Sequence, residues 1–240
     1  MKEDCISIHI VLLGTQLHIS TIRKLDTYHS DLFRIKSTSS IATLPNTDLH
    51  DWSYSKQVIS SWFTPNPDAD ITIAIIENKI EGNYFARRLT DKSIVLSFYQ
   101  AEAILRDANI DLFNYLLVII YKTITMYQLA NNKIAENSSE FIHDETRSCI
   151  FDMAGNKYDL VYSTSNACLC QQCEAHLGQR SLPSNYISIL KKELKKIRKS
   201  KYIRLLDFIK QKPIVSLIIT AIFSIILNIL SCYIFELLFK

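Results

Sequence analysis

From Ile214 to Phe235 the chain reads IVSLIITAIFSIILNILSCYIF, 22 residues without a charge. At about 1.5 Å per residue a helix of this length reaches roughly 33 Å, enough to cross a hydrocarbon core of about 30 Å. A long helix buried in a soluble domain would normally keep a charged face. The stretch therefore reads as a single transmembrane helix over 213–236, a tail anchor with few residues beyond it. The opening MKEDCISIHI sets acids before a short apolar run without a cleavage pattern, and does not read as a signal peptide.

The formal net charge of +3 conceals a strong asymmetry. Residues 1–190 hold 16 Lys+Arg against 21 Asp+Glu, whereas residues 191–212 hold ten basic residues against Glu193 and Asp207. A basic run beside a span predicts the preceding body on the cytoplasmic side, in a single-pass topology. It also predicts contact of 191–212 with anionic lipid headgroups, at about 1 kcal/mol per basic residue near the surface; nucleic acid is the disfavoured partner. Within the span, Ser216, Thr220, Ser224 and Asn228 recur every fourth residue, with Ser231 on the same side. Such a polar stripe predicts a homo-oligomer joined through this face, unless the hydroxyls bond back to their own helix.

Glycine excludes several chemistries. There are four, Gly14, Gly82, Gly155 and Gly178, where average usage of about 7% would give roughly 17. No phosphate-cradling loop, dinucleotide fingerprint or nucleophile elbow can be built from glycines so far apart.

The body, residues 1–180, reads as an α/β domain. Cys5–Leu13, Ala69–Ile76 and Lys92–Tyr99 are apolar, β-branched runs of buried-strand type. Leu32–Lys36 reads as a further strand followed by a loop from Thr38, and Asn83–Leu89 as an edge strand carrying Arg87 and Arg88. Helices are expected at Gln16–Tyr28, Tyr54–Phe63, Gln100–Ala108 and Asp111–Ala130, the last a central buried helix. Residues 181–212 read as one basic juxtamembrane helix. Trp52 and Trp62 read as core residues, and His9, His18, His29 and His50 have no ligand-like spacing.

Cysteines carry the strongest chemical signal. Four of six, Cys149, Cys168, Cys170 and Cys173, fall within 25 residues. In a cytoplasmic body stable disulfides are disfavoured and a metal becomes the better explanation. Cys170-x2-Cys173 has the spacing of a zinc knuckle and Cys149 is a natural third ligand. His143, Cys168, Asp144 and His176 all compete for the fourth place. A filled nitrogen–sulfur shell would make this Zn2+ structural and would order the segment 143–173.

In element order the chain resembles the archaemetzincin-like branch of the zincin metallopeptidases. The resemblance runs over about 60–177: ITIAII, NYFARRL, KSIVLSFYQ, the long helix, His143, Cys149, Met153 and CLCQQC. It implies a zincin-like mixed sheet with helices, a final zinc-binding histidine at His143, and a second, structural zinc held by Cys149, Cys170 and Cys173. Asp144 stands where the family carries a further cysteine. The active-site helix of that family needs two histidines four apart with a glutamate beside the first. Here DLFNYLLVIIYKTITMYQLA has neither, and no histidine anywhere precedes a glutamate. The resemblance thus implies a degenerate member, with His143 either a remnant or the fourth ligand of the structural site. Two functions follow: a membrane-tethered effector or regulator that binds a protein partner, or a metal-dependent hydrolase rebuilt on His143, Asp144 and Glu145.

Overall fold

The apolar runs pair into one five-stranded sheet of order β2-β1-β3-β5-β4. Its strands are β1 (Ile6–Leu13), β2 (Phe33–Ile41), β3 (Ile71–Ile76), β4 (Ala86–Arg88) and β5 (Ser93–Ser97). All neighbours are parallel except β4, which runs antiparallel along the edge of β5. The computed structural model describes residues 5–137 and 141–238. Met1–Asp4 of the opening stretch and the last two residues, which entered the reading of the chain's ends, lie outside the described residues.

Both faces of the sheet are covered, which is why β1 and β3 are apolar at consecutive positions. Ile8, Ile10, Ile71, Ile73 and Leu96 face the larger core, with α1 (Ile19–Thr27), α3 (Ala101–Asp107) and α4 (Leu112–Leu129). Val11, Leu13, Ala74, Ile76 and Val95 face a smaller core closed by Tyr54 and Ile59 around α2 (Lys56–Ser61). β2 continues to Ile41, past the expected loop start at Thr38. The His9 ring explains the extension: its Nδ1 and Nε2 lie 2.7 and 2.9 Å from the Ser37 and Ser39 hydroxyls, so two β2 serines satisfy a buried imidazole. The expected edge strand is shorter than the run that suggested it. The mixed α/β architecture expected from the sequence, one sheet with helices on it, is the one observed.

α4 is the central buried helix, with 14 of its 18 residues buried. Asp111 caps it by accepting from the Phe113 N–H at 2.9 Å. Its polar groups find partners inside the fold: the Asn114 amide donates to the Thr164 carbonyl and the Tyr115 hydroxyl to the Phe85 carbonyl. Scarcity of glycine has a visible consequence in the loops. Nine non-glycine residues among those described adopt positive φ, and five of them are asparagines: Asn83, Asn109, Asn131, Asn132 and Asn185. Asparagine tolerates the left-handed region better than other side chains with a Cβ. Trp52, expected in the core, is one of the nine (φ 59) and is 82% exposed.

After β5, α3 and α4 come the short α5 (Leu160–Ser165) and α6 (Gln171–Gly178), then α7 (Tyr186–Leu194), α8 (Lys201–Gln211) and α9 (Pro213–Leu238). The chain forms two compact units, meeting between Arg198 and Lys199. The single basic helix expected over 181–212 is therefore two helices in different units. α7 belongs to the first: Tyr186, Leu190 and Leu194, spaced by four, are buried between its lysines. Glu193 fastens it further. This carboxylate, 3% exposed, accepts from the Ser30 hydroxyl (2.6 Å), the Asp31 N–H (2.7 Å) and the Tyr121 hydroxyl (2.6 Å). In the second unit α8 leaves Tyr202, Leu205 and Ile209 exposed, stops at non-helical Lys212, and is followed by Pro213 at the first position of α9.

Candidate metal centre

The cysteine-rich segment is held by strand-like bridges rather than by regular elements. His143 pairs with Asp152, through the His143 N–H to the Phe151 carbonyl and the Met153 N–H to the His143 carbonyl. Cys149 pairs with Cys168, with the Ile150 N–H donating to the Cys168 carbonyl at 3.0 Å. Ser148 takes a positive φ of 61° immediately before Cys149. Cys170 caps α6 with its sulfur, which accepts from the Cys173 N–H at 3.5 Å. These pieces bring one nitrogen and three sulfurs together. Ligand atoms of His143, Cys149, Cys170 and Cys173 all lie within 4.8 Å of one another, with Cys149 and Cys173 buried.

Backbone donors surround the sulfurs. Cys149 Sγ accepts from the Phe151 and Cys170 N–H groups, both at 3.5 Å. The Cys173 thiol beside it, helped by those two N–H groups and His143, brings the Cys149 thiol down to about 5 despite burial. Cys173, facing that charge, moves in the opposite direction. The pocket thus stabilises anionic sulfur before any cation enters.

The histidine is oriented for ligation. Its Nδ1 lies 2.8 Å from the Glu145 carbonyl oxygen, so Nδ1–H donates there. That leaves Nε2, 3.5 Å from Cys170 Sγ, as the lone-pair donor facing the thiols. On the Nδ1 side lies Asp152, 4% exposed, with Oδ1 at 3.5 Å and Oδ2 accepting from the Arg147 N–H at 3.0 Å. Asp152 Oδ1 is otherwise buried without a hydrogen-bond partner, and burial raises the pKa of this carboxyl. Lys122, on α4, donates to the Asp152 carbonyl oxygen at 3.0 Å, and burial pushes its ammonium down to about 8. It is the cation that faces the sulfurs from the core side.

The donor set fits a soft tetrahedral divalent cation. Bonds of about 2.3 Å to sulfur and 2.0 Å to nitrogen put ligand atoms about 3.8 Å apart, so the observed cluster needs to close by no more than about 1 Å. Of the candidates for the fourth position, His143 is the one in the cluster. The Cys168 thiol turns to the Arg147 and Ser148 carbonyls at 3.5 and 3.4 Å, and burial pushes it up to about 11. His176 stacks on Phe141 and meets Arg180 at 3.2 Å. Asp144 is exposed, and the Glu145 carboxylate is engaged by the Arg147 guanidinium, which lowers its pKa. His143 and Glu145 are thus neighbours in sequence whose side chains serve different partners, with Asp144 between them exposed. Lys122 escaped the sequence reading as a member of this centre. The signal for Lys122 was present: it is the one charge in α4.

No protein-family model matches the chain, and no curated protein does. Among solved structures, the archaemetzincin of Methanopyrus kandleri aligns with a TM-score of 0.49 and 13% identity, over 75% of this chain and 97% of that one. The archaemetzincin of Archaeoglobus fulgidus, complexed with malonate, aligns with a TM-score of 0.44 and 14% identity, over 70% and 98%. The structural neighbours are thus archaemetzincins, the group that the order of strands, helix and cysteines resembles.

Proposed function

We propose that the chain is a membrane-tethered, zinc-stabilised and catalytically degenerate zincin-like protein that acts by binding, as an effector or regulator on the cytoplasmic face. One observation carries this reading: His143, the residue the family resemblance casts as a catalytic ligand, turns its Nε2 toward Cys170 within a four-donor cluster. A zinc with one nitrogen and three sulfurs has no open position for water, and closed shells of this kind are structural. α4, at the place of an active-site helix, offers no histidine and no acid between Leu112 and Leu129.

Tethering is supported by Pro213–Phe235, 23 residues with a mean hydropathy of 2.5 and none of it buried. α8 supports it too, since its exposed Tyr202, Leu205 and Ile209 alternate with Lys201, Arg204 and Lys210 as in helices that lie at a bilayer surface. Self-association rests on Asn228. The hydroxyls of Ser216, Thr220 and Ser224 donate to carbonyls of their own helix at 2.7–2.9 Å, whereas the Asn228 amide, whose Oδ1 accepts from the Cys232 thiol at 3.9 Å, keeps N–H donors suited to bond across helices.

The test uses the metal-loaded full chain, in isolated membranes for extraction and purified for activity. It should remain in the membrane pellet through alkaline carbonate extraction and release no product from a peptide library. Hydrolysis lost in Glu145→Gln with the metal retained, or extraction of the intact chain into the supernatant, would overturn the proposal.

A further inference from the structure

The geometry points to Asp152 as the residue that positions His143 for the metal, by accepting its Nδ1–H once the cluster closes. The inference deepens the proposed function and rests on its reading that one zinc fills the cluster. Among the described residues three buried side-chain oxygens lack a hydrogen-bond partner: Oε1 of Gln16, Oε1 of Gln128 and Oδ1 of Asp152. The last alone belongs to a carboxylate, and it lies 3.5 Å from His143 Nδ1. A buried carboxylate oxygen is costly to leave unpaired, and the donor beside it is the ring N–H.

Asp152 is itself held at three points. Its N–H donates to the Cys149 carbonyl at 3.1 Å, its carbonyl accepts from Lys122 Nζ at 3.0 Å, and Oδ2 accepts from the Arg147 N–H at 3.0 Å. The strand-like bridge between His143 and Asp152 keeps the two residues in register. The competing acceptor of Nδ1–H, the Glu145 carbonyl at 2.8 Å, belongs to an exposed residue. Ligation closes the cluster by up to about 1 Å, a movement larger than the gap between 3.5 Å and an ordinary contact of about 2.8 Å. A charged oxygen then takes over from a neutral one. It accepts more strongly, raises the basicity of the ring, and fixes Nε2 as the ligating atom.

Zinc affinity of the full chain in detergent is measured by competition with a chromophoric chelator. Asp152→Asn leaves one acceptor oxygen, already claimed by the Arg147 N–H, and should weaken zinc binding at least about tenfold. His143→Cys keeps four donors without a ring N–H, so adding Asp152→Asn to it should change the affinity by less than about twofold. Nitrogen NMR of the zinc-loaded wild type reads the same contact without any substitution: His143 should be ligated through Nε2, with an Nδ1–H protected from exchange. Equal weakening by Asp152→Asn in both backgrounds would reduce Asp152 to a part of the scaffold. That result, an unchanged affinity in the single variant, or a ring ligated through Nδ1 would overturn the inference and leave the zinc reading standing. A wild-type chain that takes up no zinc would overturn both.

Discussion

Replacing Glu193 by alanine should destabilise the first unit by about 4 kcal/mol. The carboxylate accepts three hydrogen bonds at 2.6–2.7 Å, from Ser30, Asp31 and Tyr121. Tyr121 keeps a second partner, the Tyr28 hydroxyl at 3.0 Å, so its loss is partly covered. The Ser30 hydroxyl and the Asp31 N–H lose this acceptor, each at about 1–3 kcal/mol. Taking about 4 kcal/mol and a shift of about 2–4 °C per kcal/mol for a chain of this size gives a melting temperature lower by roughly 8–16 °C. Trp62, packed edge-on to Tyr54 with ring centroids 4.9 Å apart, is a fluorescent reporter within the first unit. The full chain in detergent, with its metal, is melted beside Glu193→Gln, which keeps the shape and one acceptor oxygen and should lose about half as much. Exposed Lys196→Ala should stay within about 0.5 kcal/mol of wild type. A Glu193→Ala protein within about 1 kcal/mol of wild type would refute the claim that this carboxylate fastens α7 to the body.

Burial pushes Lys157 down to about 8 from its ordinary 10.5, while its ammonium donates to Asn83 Oδ1 and the Tyr99 carbonyl. Between those values the unfolded chain holds a proton that the folded one has released, so this group adds stability as pH rises from 8 toward 10.5 and adds no slope well below 8. Urea midpoints across that window should rise more steeply in wild type than in Lys157→Met, and equal slopes would refute the assignment. In the span, Asn228→Leu should weaken self-association in lipid vesicles about fivefold, as expected for roughly 1 kcal/mol, whereas Ser224→Ala should change it by less than about twofold. Energy transfer between labelled chains measures both, and an unaltered Asn228→Leu would remove the basis for a helix–helix contact there.

The elements that a sequence declares most loudly are those whose environment is uniform along their length. β1 and β3 are apolar on both faces and α4 nearly all round, so burial alone defines them. β2 was legible only to its midpoint, because its outer half is serines whose hydroxyls serve His9 on the neighbouring strand. The division of the basic run was hidden for a related reason. Glu193 reads in sequence as one acid among lysines, and its burial depends on Ser30 and Tyr121 far away in the chain. At the metal centre the cysteine spacing picked out Cys149, Cys170 and Cys173, which share a local turn and a short helix. The fourth donor depended on the bridge that sets His143 beside Asp152, and on a left-handed Ser148 that no propensity announces. Trp52 went the other way, a large aromatic held at a surface turn by its backbone rather than drawn into the core.

Elemental analysis of the purified full chain, joined to X-ray absorption at the metal edge, bears most directly on the central claim that His143, Cys149, Cys170 and Cys173 close around one structural zinc. One zinc per chain is predicted, with one nitrogen near 2.0 Å and three sulfurs near 2.3 Å, and Cys170→Ser with Cys173→Ser should lose the metal and the melting transition together. A chain without metal, a second equivalent, or a shell with an open oxygen position would contradict it.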